Sequence, residues 1–295
     1  MLKDASIKGR IEMLKRILLA DSGTGHTEEM LEYLLDLPSL QRATLSLLHV
    51  VPPQASAQGM TEKWEDGAKV LAGALQRLKL DPQRVTTILR QGEPKDTVLQ
   101  VADELDADLI VMGSRGLKRL ESILENSVSQ YVFQLTSRPM LLVKDDIYVK
   151  KLKRLMVAVD KSKAASYCLE LALFLVREIS GGQLFLTYVD KALDPSEGVQ
   201  THVRGDAAPE LKAAIARAKQ FGIEPSCLVT GGQAGPTICQ LAGDKNVDLL
   251  ILGSPDRRPT VAKSLPDLDR LLGGSLSDYV RVHANCPVLL GRTSV

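Results

Sequence analysis

The sequence predicts an α/β fold in two tandem copies, each a doubly wound, Rossmann-like or flavodoxin-like five-stranded parallel sheet with helices on both faces. Three observations predict it. Short, continuous apolar runs alternate with amphipathic stretches, as strands buried on both faces of a parallel sheet read. The same order of elements occurs twice. The length, 295 residues, suits two domains of roughly 150 residues, each large enough to bury its own core.

In the first copy, Ile17–Ala20, bounded by charge and by Asp-Ser-Gly, reads as a buried strand. Residues 27–37 carry Met30, Leu31, Leu34 and Leu35 at helical spacing. Residues 44–51 form a second strand, closed by Pro52-Pro53. A helix over 64–80 and a strand over 85–89 follow, then a helix over 96–105 and a strand over 109–112. A helix over 127–135 and a strand over 140–143 complete the copy. The second copy repeats the order, with strands near 155–159, 184–189, 227–229, 249–252 and 288–290.

The repeat is visible residue by residue. DADLIVMGSRG (106–116) matches NVDLLILGSPD (246–256), so that Asp108 pairs with Asp248 and Gly113 with Gly253. The same spacing pairs Gly92 with Gly232 and Thr97 with Thr237. KRILLAD (15–21) matches KRLMVAVD (153–160), and RPMLLVK (138–144) matches CPVLLGR (286–292). The charged stretch KDDIYVKKLKR (144–154) separates the copies, which places the domains at 1–147 and 148–295.

Composition narrows the function. A net charge of +1 gives no field for steering toward DNA, RNA or an anionic membrane, and 4% aromatic residues leave no stacking platform for single strands. No apolar run is long enough to span a bilayer. Residues 1–16 are charged and lack the apolar core of a secretory signal, so a cytoplasmic location is expected. Cys168, Cys227, Cys239 and Cys286 have no metal-ligand spacing and read as buried thiols. No nucleophile–base–acid order or HExxH motif is present, and the expectation is a binding protein with at most weak ATPase activity.

In a doubly wound fold a ligand sits outside the C-terminal ends of the strands at the switch point. There the first copy reads Gly113-Ser114-Arg115-Gly116, then nine residues, then Asn126-Ser127 before a helix. Glycines let a ligand approach the backbone, and a helix start offers N–H groups and a positive dipole end to phosphate. Arg115 adds a favourable charge. A plain helix cap is the alternative role for Ser127, and a turn or cap carboxylate the alternative for Asp21. The loop from Ser22 to Thr27 is either a further phosphate cradle or a turn with Thr27 as cap; it is no Walker loop.

This pattern resembles the universal stress protein family, whose nucleotide-binding members carry G-2x-G-9x-G-(S/T) in this place. The resemblance covers nearly the whole chain as two domains, and includes Asp21, His49-Val50 and Arg138-Pro139. Asn126 departs from the family's glycine; Asn tolerates φ > 0 best among other residues and keeps its N–H. The resemblance implies that Asp21 lies near the ribose or a phosphate-held magnesium ion. It implies further that the Val50 backbone meets adenine and that Met112 and Gly113 line the ribose and phosphate path. Arg115, Gly116, Asn126, Ser127 and Val128 would then surround the phosphates, with Ser22 beside them. The implied ligand is ATP, or ADP or AMP. The implied role is a stress-response sensor that signals to a protein partner or as a homodimer, the last strands of the two domains pairing within the chain. A slow ATPase or adenylate-using enzyme, and a nucleotide-free adaptor, are the alternatives.

The second copy departs further. Asp256 stands where Gly116 does, and an unpaired carboxylate repels phosphate. The stretch to Gly274-Ser275 is eight residues longer than its counterpart, and Tyr188-Val189-Asp190 replaces His49-Val50-Val51. The second copy is expected to bind no nucleotide.

Overall fold

The computed structural model describes residues 14–23, 26–78, 82–114, 127–201, 208–254 and 275–292. The chain divides into two compact units, Met1–Ile147 and Tyr148–Val295.

Unit 1 contains β1 (Arg16–Ala20), α1 (Thr27–Leu35), β2 (Thr44–Val51), α2 (Ala57–Leu78) and β3 (Val85–Gln91). It continues with α3 (Pro94–Glu104), β4 (Leu109–Ser114), α4 (Val128–Leu135) and β5 (Met140–Lys144). The sheet order is β3-β2-β1-β4-β5, every pair parallel. Right-handed crossovers put α1 and α2 on one face and α3 and α4 on the other, because the chain reverses direction after β3. Strands β1, β4 and β5 are buried: Leu18, Leu19, Ile110, Val111 and Leu141 are fully buried. That burial is why they read as unbroken apolar runs. The edge strand β3 is half exposed along its length.

Unit 2 repeats the plan with β6 (Arg154–Ala158), α5 (Lys163–Val176), β7 (Gln183–Val189), α6 (Pro209–Gln220) and β8 (Ser226–Thr230). α7 (Ala234–Asp244), β9 (Leu249–Gly253), α8 (Leu276–His283) and β10 (Val288–Gly291) complete it. Its sheet order is β8-β7-β6-β9-β10, again parallel. None of the four cysteines forms a disulfide, all are buried, and burial pushes the Cys168 thiol up to about 12.

The repeated residues have structural reasons. Asp108 accepts the N–H groups of Lys15 and Arg16 at 3.0 and 2.9 Å, and Asp248 accepts those of Lys153 and Arg154 at 3.0 and 2.7 Å. Each aspartate ties the start of its unit's first strand to the strand that follows it in space. Asp106 and Asn246, at matching positions, both adopt positive φ, 46° and 49°, where short polar side chains are tolerated.

Two sequence expectations change. The helix read as 64–80 begins at Ala57, about two turns earlier. Its first turns are polar and exposed, so no apolar stripe announces them; Ser56 starts the helix by accepting the Gly59 N–H at 3.1 Å. Thr27 is not a cap: it is the first helical residue, 1% exposed, and His26 holds the cap position without a side-chain cap bond. No helix among the described residues is long and apolar enough to cross a membrane.

Candidate functional site

A cavity of about 570 Å3 opens at the C-terminal ends of β1, β2 and β4 in unit 1. This is the switch point, since β1 leads leftward to β2 and β4 lies on its other side. Asp21, Ser22, Val50, Met112, Gly113, Ser127 and Val128 all border it. Arg115, Gly116 and Asn126 lie outside the described residues, as do Thr24 and Gly25 of the first loop. Its volume is within the range of ordinary small-molecule sites.

One end of the cavity is a backbone edge. The last residue of β2 paired with β1 is Leu48, opposite Ala20, and the Asp21 N–H donates to the Leu48 carbonyl at 2.9 Å. In a strand, the N–H and C=O of alternate residues point the same way. Leu48 therefore faces β1, Val51 faces β3 through its carbonyl to the Gly92 N–H at 3.1 Å, and Val50 faces β1 again. Strand β1 has ended by then, so the Val50 donor and acceptor point past it at the cavity.

The other end is rich in hydroxyls. Ser127 caps α4, its Oγ accepting the Gln130 N–H at 3.1 Å, so the cap reading is met. The capped start of α4 also supplies N–H groups and the positive end of the helix dipole. Ser127 and Ser129 hydroxyls lie 3.4 Å apart. The Ser114 hydroxyl is buried without a partner among the described residues. Lys63 of α2 brings a cation to the same cavity. Sequence reasoning missed Ser114 and Ser129, which an apolar-period reading passes over, and Lys63, because the helix was read as starting after it.

Asp21 is 5% exposed. Its Oδ1 accepts the Gly23 N–H at 2.8 Å in an Asx turn, with Gly23 at φ +79°. Its Oδ2 is buried, and the carboxyl feels Glu28 of α1, which is in turn held by Arg77 of α2. Burial pushes the Asp21 carboxyl above its usual range; the Gly23 N–H pulls it back, Glu28 raises it, and Arg77 lowers it. The His49 ring Nδ1–H donates to the Asp21 carbonyl at 2.8 Å, fixing the turn against β2. Oδ1 retains capacity for a hydroxyl donor. Among the described residues no three His, Cys, Asp or Glu side chains converge on a metal position.

The model of the universal stress protein family matches residues 13–144 and again 151–292. The chain belongs to that family. Universal stress protein YxiE of Bacillus subtilis is 30% identical over 148 residues, 45% of this chain and 100% of that protein. Universal stress protein Sll1654 of Synechocystis is 34% identical over 140 residues, 46% of this chain and 88% of that one. A universal stress protein from Archaeoglobus fulgidus shares the fold over 96% of this chain and 98% of its own, with TM-score 0.72 and 22% identity.

The second universal stress protein unit has a smaller cavity in the matching place, about 310 Å3. Gly253, matched to Gly113 in sequence, serves packing there: a Cβ on it would lie 2.4 Å from the Ala165 backbone nitrogen of α5. Asp256 and the longer loop lie outside the described residues.

Proposed function

We propose that the chain is a cytoplasmic stress-response protein that binds one adenine nucleotide, ATP, in unit 1 and signals by contact with a protein partner. The Val50 edge carries this reading. A donor and an acceptor side by side on one rigid strand complement adenine, which presents an acceptor and a donor, N7 and N6–H, on one edge. From that edge the cavity runs to Ser114, Ser127 and the start of α4, which suit phosphate oxygens. Asp21 Oδ1 stands between, as an acceptor for a ribose hydroxyl. No side chain among the described cavity residues is set as a base against a terminal phosphate, so turnover is expected to be slow at most.

The test is the nucleotide content of the purified protein, released by denaturation and resolved on a column. About one adenine nucleotide per chain is expected, and none in Gly116→Asp, where a carboxylate enters the phosphate loop. An empty protein that shows no thermal shift with Mg-ATP would leave the adaptor reading. Steady ATP turnover abolished in Asp21→Ala would make the protein an enzyme instead.

A further inference from the structure

The cavity of unit 2 keeps one half of the unit 1 architecture and lacks the other. Strand β6 is last paired at Ala158, opposite Thr187, and the Val159 N–H donates to the Thr187 carbonyl at 2.9 Å. The Asp190 N–H turns the other way, to the Thr230 carbonyl at 2.9 Å. Between them Val189 points its donor and acceptor past the end of β6 at the cavity, as Val50 does in unit 1. Ala234, Ile238 and Leu276 form apolar walls, and the Asp160 carboxylate stands at the rim.

At the base, Thr187 occupies the register position that Leu48 holds in unit 1. It is 1% exposed and its hydroxyl has no hydrogen-bond partner among the described residues. A buried hydroxyl left unpaired is costly, and a polar ligand in the adjoining cavity would satisfy it.

At the end where unit 1 would hold phosphate, the described hydroxyls of unit 2 are already engaged. Ser254, Ser275 and Ser277 match Ser114, Ser127 and Ser129; the Ser275–Ser277 bond at 3.0 Å repeats the Ser127–Ser129 bond at 3.4 Å, but Ser254, unlike Ser114, is also engaged, bonding Ser277 at 3.2 Å. The Ser275 hydroxyl donates to Asp278 at 2.7 Å. Asp278 stands where unit 1 has Gln130, placing a carboxylate in the first turn of α8, with Arg281 3.9 Å away offsetting part of its charge. A phosphate arriving there meets an acid and hydroxyls already engaged.

We propose that unit 2 binds an unphosphorylated adenine nucleoside: the base on the Val189 edge, the sugar toward Asp160, and no phosphate. Guanosine is rejected at that edge, because its N7 and O6 are both acceptors and one opposes the Val189 carbonyl. This site does not depend on nucleotide binding in unit 1.

The experiment is equilibrium dialysis of labelled adenosine against the full chain, with saturating unlabelled AMP to occupy any site that accepts phosphate. Saturable adenosine binding that survives AMP is expected, with guanosine at least about tenfold weaker. Ala234→Leu, which fills the cavity, should weaken binding by about tenfold or more. Thr187→Val, which keeps the side-chain shape and so the fold, should weaken it roughly threefold to tenfold. Loss of all adenosine binding in the presence of AMP, or binding that both variants leave unchanged, would overturn the proposal.

Discussion

Asp21 and Glu28 lie side by side beneath the unit 1 cavity, with Arg77 on the far side of Glu28. Because burial raises the Asp21 carboxyl above its ordinary value of 3.8, folding favours its neutral form. The stability this contributes is complete below that value and is lost as pH rises through the raised one. Asp21→Asn, which cannot ionise, should therefore be more stable than the wild type at pH 7, with the difference shrinking toward pH 4. Denaturant unfolding of both proteins across that range measures it; parallel stability curves would show that burial does not raise the Asp21 carboxyl. The residue that sequence resemblance placed near a ribose or a metal is thus also a buried acid with a raised pKa, and only its neighbours in space reveal this.

At the level of elements, two serines with the same local geometry separate capping from ligand binding. Ser127 caps α4 and borders the unit 1 cavity, whereas Ser162 caps α5 by accepting the Ala165 N–H at 3.0 Å and borders neither cavity. Replacing either by alanine should cost about 1 kcal/mol of stability. Ser127→Ala alone should also weaken ATP binding, read by calorimetric titration; equal ATP affinity in the two variants would reduce Ser127 to a cap. The strands and most helices were legible because their apolar periods are imposed by burial on two faces or one. The first turns of α2 were not, because an exposed helical segment has no period to read, and Lys63 was hidden with them.

For the whole molecule, two units of one fold need not share one ligand. Hydrogen exchange with and without ATP should protect the ends of β1 and β2 and the start of α4 while leaving β7 and α8 unchanged. Equal protection in both units would show that the engaged serines and Asp278 do not exclude phosphate. The repeat itself carries little functional information: Asp108 and Asp248, its most obvious matched pair, tie strands together. Function resides at the strand ends, where the copies differ.

The sequence by itself determined the tandem α/β architecture, the parallel sheets and the family, because buried parallel strands leave continuous apolar runs and repeats leave matched residues. It also singled out Asp21, Val50, Gly113 and Ser127, which the fold brings to one cavity. Only the tertiary structure decided which way the Val50 and Val189 backbone groups point, since that depends on where the neighbouring strand stops. Tertiary structure alone also left Thr187 buried without a partner among the described residues and engaged Ser254 of unit 2 with Ser277, because hydrogen-bond satisfaction is a property of positions in space, not of residue order.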